Sequence, residues 1–298
     1  MKEISVEGCK VIGRGGQGVI YRLDEETIVK LYNPGYSLEA INRERESAKA
    51  AVKLGIPTAI SFGTVKCGES YGIIFELMNS GTLSAAMRAE PEKLPQYVKM
   101  YYDLYNELHS IHDTEGIYPK LKDCFHQQAD RLGRWLSPDE VKAVHSIVDA
   151  LKDEDSVLHG DFHPGNIMLH NGELLLIDIP DVKSGSQLYD LANVFRDMIS
   201  CPQSTPHMCE ISQGLTPEMC SQIGNMFFSM YCKSTDPEVI GGFMKQLGLV
   251  YGFFMTMFIG EENLHPEAEK AAPGIIDHLC RKIVLPNADT VKHLLQTL

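Results

Sequence analysis

Apolar and polar positions alternate with a period near two in ISVEGCKVI, GVIYRL and TIVKLY, the three runs that fill residues 4–32 between a glycine cluster and DEE. That alternation puts successive side chains on opposite faces of a strand, so it predicts antiparallel hairpins. At residues 37–54, SLEAINRERESAKAAVKL, the period becomes helical; Ser37 suits the N-cap and Gly55 the C-terminal stop. GIPTAISFGTV and SYGIIFELM return to strand character. After NSGTL at 79–83 the runs AAMRAE, YVKMYYDLYNELHSIH, CFHQQADRLGRWL and PDEVKAVHSIVDALKDE all carry helical spacing. IMLHNGELLLID is the exception, because Asn171-Gly172 between two apolar runs is the turn chemistry of a two-residue hairpin. The change of period near residues 79–82 predicts an α+β chain. A small antiparallel-sheet lobe with one helix, 1–78, precedes a mostly helical lobe, 79–298.

Composition narrows the class. With 27 Lys+Arg against 40 Asp+Glu, a net charge of −13 disfavours nucleic acid as a partner and suits a cationic ligand. The start, MKEISVEGCK, has no apolar run of the secretory kind, and the eight cysteines form no C-x-x-C pair, so a cytoplasmic chain with reduced thiols is expected. The longest apolar stretch, LGLVYGFFMTMFIG at 247–260, is shorter than the roughly 20 residues that span a bilayer. It predicts a core helix and no membrane partner.

Gly13, Gly15, Gly16 and Gly18 fit G-x-G-x-x-G. A dinucleotide fingerprint runs from strand into helix, whereas these glycines lie between strand-like runs, where backbone N–H groups can cover phosphates. Ile20, two residues past the last glycine, would then face a purine ring. Taken alone, the segment reads first as an ordinary glycine-rich hairpin. Lys30 alternates with Val29 and Leu31 and points away from both; a role on phosphates needs a carboxylate, and the next helix offers Glu44 and Glu46. Glu76 and Met78 end the last strand before Gly81; as a hinge, the Glu76 carbonyl and Met78 amide would match an adenine edge.

LHGDFHPGNIML, residues 158–169, sets two histidines around an aspartate. His159 and His163 on one helical face would suggest zinc, but Pro164 and Gly165 make such a helix unfavourable. On a loop, Asp161 can accept a proton from an attacking hydroxyl, while Asn166 and Asp178 offer oxygen to magnesium. His159 is then expected to hold the loop by hydrogen bonds.

This motif resembles the catalytic loop of the aminoglycoside phosphotransferase and choline kinase-like superfamily, small-molecule kinases with the protein kinase fold. Residues 13–18, Lys30, a helix glutamate, 76–78, 159–166 and Asp178 follow the superfamily's order. The resemblance favours Glu46 over Glu44 as the lysine's partner. YDLANVF at 189–195 places Asp190 where these kinases support the catalytic loop. The resemblance covers residues 10–196; the following hundred residues match only in being helical. Asp178-Ile179-Pro180-Asp181 departs from D-F-G, so an activation-loop flip is not expected, and Asp181 reads first as a turn residue.

The resemblance implies a bilobal protein kinase-like fold and an ATP-dependent kinase, with GTP as the alternative donor, that uses Mg2+ to phosphorylate a hydroxyl of a small molecule. Rival readings are a protein Ser/Thr kinase and a nucleotide-binding regulatory protein without turnover. Glu261, Glu262 and Asp197 suit an aminoglycoside-like amine; Tyr251, Phe253, Phe254 and Phe258 could contribute to a choline-like cage. The plainer readings are solvated acids and core aromatics, and the oligomeric state stays open.

Overall fold

A computed structural model describes residues 1–15, 17–78, 81–262 and 264–298. The chain forms two compact units, residues 1–86 with 164–181, and residues 87–163 with 182–298. A single cut after residue 78 therefore does not describe it: the chain leaves the first unit within a helix and returns to it once.

The first unit begins with strands β1 (Lys2–Glu3), β2 (Val11–Arg14), β3 (Gly18–Arg22) and β4 (Thr27–Tyr32), then helix α1 (Leu38–Lys53), then β5 (Ser61–Cys67) and β6 (Ser70–Glu76). The sheet order is β1-β5-β6-β4-β3-β2, antiparallel except where β1 runs parallel to β5. ISVEGCKVI is not one strand, because the chain turns at Gly8, with φ 78° and Cys9 N–H donating to the Val6 carbonyl at 3.0 Å. Val29 and Leu31 pack with Val65 on one face; Tyr32, Ile41 and Ile73 cluster separately and bring α1 onto the sheet. Ser37 Oγ caps α1 by accepting from Ala40 N–H, and Gly55 ends it at φ 78°. Helix α2 (Leu83–Ala89) contains the division between the units.

The second unit continues with α3 (Leu94–His109), α4 (Leu121–Arg131), α5 (Pro138–Val148) and β7 (Val157–Leu158). The chain then re-enters the first unit as the hairpin β8 (Ile167–His170) and β9 (Glu173–Leu176), turned by Asn171 and Gly172 at φ 51° and 86°. Backbone bonds draw this hairpin to the first unit: Leu169 N–H to the Gly81 carbonyl (3.0 Å) and Leu176 N–H to the Pro57 carbonyl (2.7 Å). Strand β10 (Lys183–Ser184) pairs with β7. Helices α6 (Leu188–Phe195), α7 (Cys201–Ser204), α8 (Pro217–Tyr231), α9 (Pro237–Ile259), α10 (Pro266–Ile275) and α11 (Ala288–Thr297) complete the unit. A π-helical turn, Arg196–Ser200, joins α6 to α7.

Helix α9, 23 residues long, carries most of the apolar run and by length and composition alone could cross a membrane. Its buried residues Leu247, Val250, Phe253, Phe254 and Met257 recur at three- and four-residue spacing. Phe253 meets Phe125 of α4 edge-on at 5.9 Å, and Phe254 meets it tilted at 5.6 Å. It is the core helix of the second unit. Burying each phenylalanine contributes about 1.5–3 kcal/mol.

Candidate active site

The first unit carries a cation between acids. Lys30 Nζ lies 3.0 Å from Glu44 Oε1, 2.8 Å from Asp178 Oδ1 and 2.9 Å from Gln17 Oε1. Alternation along β4 puts Lys30 opposite Val29 and Leu31, and pairing places Ile20 of β3 directly across from it, on the same face. Burial alone would lower the lysine pKa, but Asp178 and Glu44 raise it, so the ammonium stays charged.

The partner from α1 is Glu44, not Glu46. The helical period turns Glu44 inward, where it is 9% exposed, while Glu46 is 61% exposed and pairs with Lys49 and Arg45.

Gly15 and Gly18 exchange backbone hydrogen bonds at 3.0 and 3.4 Å, closing the loop between β2 and β3. The two glycines differ in what they serve. A Cβ on Gly18 would stand 2.0 Å from the Leu31 carbonyl oxygen, so Gly18 lets two strands approach. A Cβ on Gly15 would meet nothing within 4 Å. Gly13 packs near Ile20, and Gly16 lies outside the described residues. Glu76 closes β6 with its N–H on the Ile60 carbonyl, Leu77 N–H binds the Glu26 carbonyl, and Met78 follows half-buried. At the open end of the β8–β9 hairpin, Ile177 N–H donates to the Asn166 carbonyl at 2.9 Å. That bond sets Asn166 beside the strand end that leads to Asp178, and both side chains offer oxygen. Asp178 adopts φ 58°.

The second unit carries the loop through Asp161. Buried Asp190 of α6 accepts from His159 N–H at 2.7 Å and Gly160 N–H at 2.9 Å, and lies 3.0 Å from His109 Nε2. Gly160 has φ 88°, a region that penalises a Cβ. Phe162 is buried, stacked 5.0 Å from Tyr101, whose hydroxyl donates to the Phe162 carbonyl. His159 Nδ1 accepts from Asp161 N–H at 3.2 Å, the loop-holding role expected of it. His163 does not extend a helix: Pro164–Asn166 is a single 3-10 turn, and His163 Nε2 lies 3.3 Å from Asp161 Oδ2.

Asp161 Oδ1 accepts from Arg196 Nη2 at 2.7 Å. The same guanidinium binds Asp197 through Nε (2.8 Å) and Nη2 (2.9 Å). Burial would raise the Asp161 pKa, yet His163 and Arg196 hold it well below the usual carboxylate range. The carboxylate is an ionised acceptor that remains 41% exposed.

The sequence pattern that defines the phosphotransferase enzyme family matches residues 9–207. The chain belongs to that family. Among solved structures it is similar to aminoglycoside-3'-phosphotransferase of type VIII: 20% identity, 81% of this chain and 93% of that one, TM-score 0.52. A thermostable mutant of aminoglycoside phosphotransferase APH(4)-Ia, in a ternary complex with ADP and hygromycin B, shares 12% identity. That match covers 93% of this chain and 96% of that one, with TM-score 0.60. A choline/ethanolamine kinase family protein from Mesorhizobium loti shares 12% identity over 97% of this chain and 92% of that one, TM-score 0.54. No curated protein matches the chain significantly. At these identities the structures show a shared fold, that of the superfamily the loop motif resembles.

Within this phosphotransferase, sequence reasoning missed Arg196 and Gln17 and read Asp197 as solvated. Asp197 is instead 5% exposed and clamped by Arg196. The available signal was an Arg-Asp pair breaking the apolar run LANVFRDMI, since adjacent opposite charges inside a buried helix need partners. Phe253 and Phe254 are core residues, and Glu262 is an exposed acid 3.9 Å from Arg131.

Proposed function

We propose that this phosphotransferase transfers the γ-phosphate of ATP, or alternatively GTP, to a hydroxyl of a small molecule in the cytoplasm. The observation that carries the reading is Lys30 Nζ bound by both Glu44 and Asp178 on the face shared with Ile20. A charged ammonium fixed by a helix acid beside the glycine loop suits nucleotide phosphates, and Ile20, Glu76 and Met78 suit a purine. Eight free thiols fit a reducing compartment.

Asn166 and Asp178 would hold magnesium, a hard ion suited to their oxygen donors; when bound, it supplies charge neutralisation at the phosphate oxygens. In this reading Asp161 orients the acceptor hydroxyl and takes its proton. Its low pKa makes it a weak base, which fits a transfer with a loose transition state, where the hydroxyl proton is lost late and positioning dominates. The net charge of −13 favours a cationic acceptor of the aminoglycoside or choline kind.

The test is a screen of hydroxylated amines with ATP consumption as readout. Acceptor-dependent consumption that disappears on magnesium chelation and in Asp161→Asn supports the reading. Turnover unaffected by either would overturn it.

A further inference from the structure

Away from these clusters, helices α4 and α5 of the second unit face two imidazoles toward each other. His126 Nδ1 lies 2.9 Å from His145 Nδ1, with the rings nearly parallel at 18°. Each outer nitrogen has its own carboxylate: His145 Nε2 lies 2.9 Å from Asp130 Oδ1, and His126 Nε2 lies 3.3 Å from Asp149 Oδ1.

Tautomer chemistry makes this pair unusual. A carboxylate on Nε2 keeps the proton there, because an ionised carboxylate only accepts. The Asp130 bond makes His145 Nδ1 a lone-pair acceptor; where Asp149 sets the same tautomer on His126, the two Nδ1 lone pairs face each other at hydrogen-bond distance and repel unless a cation lies between them. A proton can serve, at the expense of making one ring an imidazolium. A metal ion can also serve, and the carboxylate on the far nitrogen is the outer partner that metal-binding histidines use to fix the tautomer and raise basicity.

The spacing favours particular ions. With metal–nitrogen bonds of about 2.05 Å, two ligands at a right angle stand ~2.9 Å apart and two tetrahedral ligands ~3.3 Å apart. Imidazole nitrogens at the shorter spacing suit tetragonal Cu2+ or Ni2+. Replacing the proton needs only a turn of a ring about χ2, a soft torsion. Among the described residues no group of three or more His, Cys, Asp or Glu side chains is placed to hold a metal, so water would complete the coordination. The rings are about a third exposed, 33% for His126 and 28% for His145, which admits an ion and its waters. Lys122, one turn before His126, directs its ammonium to the carbonyls of Asp149 and Leu151. The charges of Asp130 and Asp149 together balance one divalent ion.

We propose that His126 and His145 form a two-imidazole site for a divalent late first-row metal, Cu2+ or Ni2+, that braces α4 against α5. The site is independent of the phosphotransferase chemistry. The experiment is calorimetric titration of the full chain with Ni2+, wild type against the double variant His126→Asn and His145→Asn, with Cu2+ paramagnetic resonance on both. Wild type should bind one equivalent more than the double variant, with two-nitrogen hyperfine structure on Cu2+ and a Tm that rises with metal. Asp130→Asn should weaken binding by about 10–100-fold. Should a double variant fold poorly, His145→Asn alone with the wild-type resonance spectrum decides the matter. Equal stoichiometry and affinity in wild type and variants, or a wild-type spectrum without imidazole nitrogen, would mean that only a proton bridges the pair and would overturn the proposal.

Discussion

Arg196 Nη2 donates to Asp161 Oδ1 at 2.7 Å while Nε and Nη2 also hold Asp197, so one guanidinium, stabilised by two carboxylates, fixes the carboxylate proposed as the base. Arg196→Ala should lower kcat by about 10–100-fold through lost positioning. Arg196→Lys should recover only part, since an ammonium does not reproduce the fork. The distinguishing measurement is the pH profile. Without the guanidinium the Asp161 pKa rises, so the acid limb of kcat/KM should move to higher pH. An unmoved limb would reduce Arg196 to a packing residue.

The pH dependence of the wild type follows from the same geometry. Asp161 has a folded pKa below its ordinary value of 3.8, so its contribution to stability is present above pH 3.8 and is lost as pH falls through the lower, folded value. Between pH 5 and 8 no ionisation of Asp161 should limit turnover. Rate–pH profiles at saturating acceptor check this.

Asp161→Asn removes the proposed proton acceptor but keeps the shape of the side chain. Turnover should fall by about 10²–10⁴-fold, the range general-base catalysis supplies, while nucleotide binding stays nearly unchanged. Nucleotide titration beside steady-state kinetics separates the two. Parallel loss of both would contradict the assignment.

Glu44→Ala leaves Lys30 with one acid in place of two. Nucleotide affinity and turnover should drop together by about tenfold, an effect of roughly 1.4 kcal/mol, whereas Glu46→Ala on the exposed side should stay within about twofold. The reverse result would return the lysine's partnership to Glu46.

Asp190 is fully buried and holds two backbone N–H groups as well as His109. Burial would raise its pKa, but His109 and its other partners lower it. Asp190→Ala orphans those donors and should destabilise the protein by about 3–5 kcal/mol. A fall in urea midpoint together with lost turnover would fit an anchor; full stability would not.

Much of the fold was written in local pattern. Strands β3 to β6, the capped helix α1 and the Asn171-Gly172 hairpin follow from alternation, a serine cap and turn residues, all of which act within a few positions. The loop motif likewise put Asp161, Asn166 and Asp178 forward as the proposed base and magnesium ligands, because the spacing of chemistry-bearing residues is itself local. What the chain could not announce is which of several equivalent charges turns inward. Glu44 and Glu46 lie two apart on α1, and only the packing of Ile41 against Tyr32 and Ile73 fixes the rotation that points Glu44 at Lys30. The return of residues 164–181 to the first unit rests on bonds to Pro57 and Gly81, far away in sequence. Arg196 meets Asp161 across thirty-five positions, and His126 meets His145 only because α4 packs on α5. Such pairings cost chain entropy that the packing of the whole unit repays, so tertiary structure alone decides them.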